Sequence, residues 1–139
     1  MLVSLLSSQV LVEALARHEA LPGVAAAACG ALRSLTSSVE HPVSVAYHNI
    51  LTIVTAALSY HLQGHRRSEP EASFLLTAAC GVLRNLARSP QAGNLLAIQA
   101  SSAPVLLHAI VRAATTPPFV GTGELAEASH LAAAVLAMF

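Results

Sequence analysis

The sequence predicts an all-α protein: a right-handed α-solenoid of about three irregular helical repeats, in a single domain over residues 1–139. Three observations lead there. The first is internal repetition. Ala28-Cys29-Gly30-Ala31-Leu32-Arg33-Ser34-Leu35 returns 51 residues later as Ala79-Cys80-Gly81-Val82-Leu83-Arg84-Asn85-Leu86. A fainter copy, Ala132-Ala133-Ala134-Val135-Leu136-Ala137-Met138-Phe139, follows after another 53. A helical unit of this size cannot bury its apolar face alone, so recurrence at a near-constant period signals stacked layers. The second observation is composition: the chain is 55% hydrophobic, dominated by Ala and Leu, with aromatics at 4%, which favours close-packed helices over sheet. The third is that no β-branched alternation survives outside helical-period segments.

Each element follows from local chemistry. Leu2 to about Glu19 has apolar Leu6, Val10, Leu11 and Leu15 set against polar Ser7, Gln9, Glu13 and Arg17, a helical pattern. Leu21-Pro22-Gly23 is expected as a turn. Val24 to Thr36 is the first repeated helix, with Ala28, Leu32 and Leu35 on one face. Glu40-His41-Pro42 interrupts, and Val43 to Leu62 is again helical, with a break near His48-Asn49. Gly64 to Glu71 reads as a loop that ends in a capping box, Ser68-Glu69-Pro70-Glu71.

Phe74 to Arg88 is the second repeated helix, striped by Ala79, Leu83 and Leu86. Ser89-Pro90 reads as the start of a short helix to Ile98. Ser101-Ser102 precedes a helix from Ala103 to Ala114, with Pro104 in its first turn. Thr116 to Gly123 is a Pro/Gly loop, and Glu124 to Phe139 is the closing helix, with Glu124 and Glu127 near its positive end. The two long loops start 52 residues apart and each precedes a copy of the repeated helix.

Charge and missing residue types narrow the function classes. Seven Arg balance seven Glu, so no electrostatic footprint for nucleic acid is visible. The chain has neither Lys nor Asp. That removes a P-loop lysine, a Schiff-base amine, an EF-hand and any Asp-containing triad. G-x-S-x-G and HExxH are absent, and the seven His do not complete a zinc set at standard spacing, although His61 and His65 are four apart. No enzyme activity, metal or cofactor is expected. Cys29 and Cys80 occupy equivalent repeat positions and read as buried thiols, which suits a cytoplasmic or nuclear setting. The apolar runs Val43–Gln63 and Ser89–Val111 carry His, Asn, Gln or Pro at depths where a bilayer tolerates them poorly, so no membrane span is expected. The N-terminus lacks the basic start of a secretory signal.

These residues resemble the armadillo repeat family, whose third helix ends in Leu-x-Asn-Leu. Leu83-Arg84-Asn85-Leu86 matches that ending, and Leu32-Arg33-Ser34-Leu35 matches it with Ser for Asn. Ser89-Pro90-Gln91-Ala92-Gly93-Asn94 followed by Ala103-Pro104-Val105-Leu106-Leu107 is similar to the family's first and second helices. HEAT repeats are a close alternative. The period exceeds the roughly 40–47 residues usual for such repeats, and Gly30 and Gly81 stand where the family carries its groove tryptophan. The resemblance implies a protein-interaction scaffold that binds a protein or peptide along its third helices.

The candidate partner-binding residues are therefore Arg33, Ser34, Gly81, Arg84, Asn85 and Arg88. Gly81, Arg84, Asn85 and Arg88 share the helix face opposite the apolar stripe, and Gly30, Arg33, Ser34 and Ser37 are their counterparts. A ladder of arginines there would pair acidic or carboxyl-bearing partners, while a merely solvated polar face is the plainer reading. Glycine inside a helix costs about 1 kcal/mol relative to Ala, so Gly30 and Gly81 imply close approach by a neighbouring helix or a ligand backbone. Both chain ends are apolar where solenoids need polar caps. The sequence is thus expected to be a segment of something longer, its ends covered by further repeats, another subunit or a second copy. A structural or oligomerising segment without a groove of its own is the alternative function.

Overall fold

Seven helices, and no strand, are found among the described residues of the computed structural model: 2–18, 21–37, 50–62, 70–89, 93–114 and 126–139. Helix α1 spans Leu2–His18 and carries Arg17 in its last turn, a cation that suits its negative pole. It buries Val12 and Leu15, one turn apart, while Val10 of the expected apolar face is exposed. Helix α2 spans Pro22–Thr36, so Leu21-Pro22-Gly23 is not a separate turn but the helix start. Leu21 is the extended N-cap, and Pro22 sits at the first helical position, where a missing N–H leaves nothing unsatisfied.

Helix α3 spans Ile50–His61 and buries Ile50, Val54, Ala57, Leu58 and His61 on one stripe; the expected helical residues 43–49 lie outside the described ones. Helix α4 spans Pro70–Arg88. It starts four residues before the expected Phe74, because Pro70 fixes the helical φ and opens the first turn. The remainder of the expected loop, Ser68 of the capping box included, lies outside the described residues.

Helix α5 spans Asn94–Ala100, starting later than Ser89-Pro90 suggested. Gly93 adopts φ 87°, a left-handed conformation that a continuous helix cannot pass through, so it defines the N-cap. Helix α6 spans Ala103–Ala114 and is bent 72° away from α5. The corner is held by Ser101, whose Oγ accepts from the Ala103 amide at 3.1 Å and donates to the Ile98 carbonyl at 2.7 Å. Helix α7 spans Ala126–Leu136. The expected helix to Phe139 ends earlier, in tighter turns from Met138 N–H to the Val135 carbonyl and from Phe139 N–H to the Leu136 carbonyl. Loop 116–123 and Glu124 lie outside the described residues. No single described helix is long and apolar enough to cross a membrane.

Helix α4 is the axis of the packing and touches α2, α3, α5 and α7. Leu75, Leu76, Ala79, Cys80, Val82, Leu83 and Leu86 are all buried, far more of its surface than one amphipathic stripe would hide. Each fully buried Leu contributes on the order of 1.5–3 kcal/mol. The partner stripe on α2 is Ala25, Ala28, Cys29 and Leu32. Leu35, expected to extend it, is only half-buried.

The two repeated helices therefore pack directly on one another. Their register is parallel: Cys29 adjoins Cys80, Arg33 adjoins Gly81 and Asn85, and Thr36 adjoins Asn85, so contacts climb both helices together. The fainter third copy does not continue that register. A 53-residue step would bring residues near Ala137 level with Arg33, yet the Arg33 guanidinium meets Glu127. Ten residues of helix are about 15 Å. Helix α7 packs on α4 and α6 through Ala128, Leu131, Ala132 and Val135, set by its own stripe rather than by the repeat offset.

Candidate functional site

The polar face of α4 is built by three helices. Arg33, in the last turn of α2, lays its side chain across Gly81 of α4. A Cβ placed on Gly81 would come within 2.9 Å of the Arg33 Cζ and closer still to its Cδ and Nε. The glycine thus supplies the room in which the arginine lies flat. The expected close approach of a neighbouring helix is met at Gly81, where α2 packs on α4 through the Arg33 side chain. Around Gly30 the expectation fails, since nothing would lie within 4 Å of a Cβ there.

Beyond Gly81 the guanidinium reaches α7, where Nη2 lies 3.4 Å from Glu127 Oε1. That is long for a charge-assisted hydrogen bond, and both groups are solvated, so the pair contributes less than about 1 kcal/mol. Asn85 fixes the arginine's backbone. Its Nδ2 donates to the Arg33 carbonyl at 2.8 Å and to Thr36 Oγ1 at 3.2 Å. The carbonyl lies in the last turn of α2, where intrahelical partners run out, and the Ser37 amide donates to it as well.

The six candidate residues are thus divided. Arg33, Gly81 and Asn85 meet at one point and serve the α2–α4 contact. Arg84 and Arg88 follow on the same face of α4, half-buried and exposed respectively, and neither has an acidic partner among the described residues. Ser34 is exposed on α2. Because helix neighbours three or four apart lie about 5–6 Å from each other at Cβ, Arg33 over Gly81, then Arg84, then Arg88, form a run of three cations along two turns. Glu127 and Thr36 belong to the same constellation. Sequence reasoning placed Glu127 only as a first-turn charge, and nothing in its spacing ties it to Arg33, 94 residues away.

Other polar groups serve the frame. Asn94 is buried, and its Nδ2 donates to the Leu86 carbonyl at 3.2 Å, joining the start of α5 to the end of α4. His61 is buried with its ring edge-on to Tyr60, centroids 4.9 Å apart. His108 and His130 are exposed, and His48 and His65 lie outside the described residues. No group of three or more His, Cys, Asp or Glu gathers among the described residues.

Both thiols are unpaired and buried at the α2–α4 interface. Burial pushes Cys29 up to about 12. Cys80 is likewise pushed up to about 12 by burial; the nearby Arg33 charge opposes the rise and Cys29 adds to it. Thiols held protonated this far are poor nucleophiles at neutral pH. Comparison with known protein families, with curated proteins and with solved structures finds no match to this chain.

Proposed function

We propose that the chain is a non-catalytic protein-interaction module, an armadillo-like right-handed solenoid of about three irregular repeats. It receives an acidic protein or peptide segment on the polar face of α4. One observation carries this reading: Arg33, Arg84 and Arg88 run along that face with Glu127 as the one acid beside them among the described residues. Arginine forks take carboxylates two oxygens at a time, so a run of them favours a segment with several acids. In this reading Gly81 and Asn85 position Arg33, and Ser34 borders the surface from α2. Two unpaired thiols suit a cytoplasmic or nuclear setting.

The test is fluorescence anisotropy with a labelled oligo-glutamate peptide. Wild type should bind, with affinity falling as salt rises. Arg84→Gln/Arg88→Gln should weaken binding by about tenfold or more with the far-UV CD spectrum unchanged. Equal binding by wild type and the double variant would overturn the reading.

A second reading, a stacking segment with no groove, is favoured by the outer face of α2. Gly23, Ala27, Ser34 and Ser37 are exposed there, and Gly30 has open space beside it. Shifted by 51 residues, Gly30 and Ser34 become Gly81 and Asn85, the positions on α4 against which α2 sits. Light scattering on the purified chain separates the two readings. Stacking requires self-association that Gly30→Leu abolishes, whereas the interaction module stays monomeric.

A further inference from the structure

Arg33 differs from Arg84 and Arg88 in already holding a carboxylate. We propose that Glu127 is an internal stand-in for the acidic partner: the α7 carboxylate occupies the Arg33 fork and is exchanged for a partner carboxylate on binding. The inference rests on the reading of the α4 face as a surface for acidic segments, and adds to it an autoinhibitory contact supplied by α7.

Three features of the site carry it. The contact is a single one, Nη2 to Oε1 at 3.4 Å, although a guanidinium can bind both oxygens of a carboxylate in parallel at shorter distances. Most of the fork is therefore unused. Both groups are within reach of solvent, the Arg33 side chain 35% exposed and that of Glu127 64%, so a partner can displace the glutamate without opening the core. Finally, the arginine does not depend on Glu127 for its place. Its side chain lies across Gly81, and its backbone carbonyl accepts from Asn85. When the glutamate leaves, the guanidinium keeps its seat across Gly81, one turn of α4 before Arg84. An ion pair this exposed resists exchange only weakly, which sets the size of the effect at about three- to fivefold in affinity.

The test is a binding cycle with the oligo-glutamate peptide, by anisotropy at low salt, on the full chain. Glu127→Gln, and independently Glu127→Ala, should tighten binding by about three- to fivefold. In an Arg33→Gln background the same changes should have no effect. Glu13→Gln, which removes an exposed charge on α1, controls for the general gain of positive charge and should leave affinity at the wild-type level. Binding of Glu127→Gln equal to wild type would overturn the stand-in while leaving the surface reading intact. So would tightening that persists without Arg33 or is reproduced by Glu13→Gln. Absence of peptide binding by wild type and Glu127→Gln alike would overturn both.

Discussion

Gly81 illustrates how one residue links local cost to tertiary gain. A glycine inside a helix is about 0.5–1 kcal/mol worse than alanine, and here the room it leaves is filled by Arg33. Gly81→Ala should therefore be close to neutral in the wild-type chain, because the helix gain is offset by displacing the arginine. In an Arg33→Ala background the same change should stabilise by the full 0.5–1 kcal/mol or so. Urea unfolding of the four proteins checks this, and strict additivity would refute the seating of Arg33. Asn85 makes a second residue-scale claim. Asn85→Ala loses two hydrogen bonds to α2, but the Arg33 carbonyl still accepts from Ser37. The cost should be about 1 kcal/mol rather than that of an orphaned buried group. What could be read from the sequence at this scale was the pairing of Gly81, Arg84, Asn85 and Arg88 on one face, because helical periodicity is local. That Arg33 fills the space above Gly81, or that Glu127 meets it, depends on helix placement that no spacing encodes.

Among the elements, α4 is the one whose loss the fold cannot absorb. Leu83 is fully buried, whereas Leu96 of α5 is largely exposed. Leu83→Ala should cost about 2–5 kcal/mol, and Leu96→Ala no more than about 0.5 kcal/mol. Their urea midpoints should separate clearly. The α2–α4 interface also gives stability a pH dependence. Both thiols rise from an ordinary value of 9.0 to about 12 in the fold. Below pH 9 folded and unfolded chains hold these protons equally, and the stabilisation is complete. Between 9 and 12 the unfolded chain has released protons that the folded one keeps. Stability then falls with rising pH, by up to about 1.4 kcal/mol per unit for each thiol. Cys29→Ala/Cys80→Ala should flatten that decline in urea midpoints; an identical decline without the thiols would contradict their burial. Helix positions were largely legible from periodicity. Their starts were less so: Pro22 and Pro70 begin helices that the apolar pattern alone would begin later, and Gly93 moves the start of α5 beyond Ser89-Pro90.

For the molecule as a whole, the all-helical class follows from Ala and Leu content and the lack of strand patterning, and it is what the described residues show. In the packing of α2 on α4 the near-identical segments Ala28–Leu35 and Ala79–Leu86 meet through different faces: Arg33 of α2 meets Gly81 and Asn85 of α4, while their counterparts Gly30 and Ser34 have open space beside them or are exposed. The third copy does not continue this arrangement. Ala132 to Phe139 shares small apolar residues with the others but lacks the Arg and Asn that fix register between α2 and α4. Small side chains permit many helix alignments, so α7 settles by its own stripe of Ala128, Leu131, Ala132 and Val135. The most direct measurement is a set of nuclear Overhauser effects in solution between the first and second copies. Cross-peaks from the Gly81 Hα protons to the Arg33 Hδ protons, and from the Asn85 side-chain amide to the Thr36 methyl, are expected. Their absence in a folded sample, with both segments contacting other elements instead, would contradict the account.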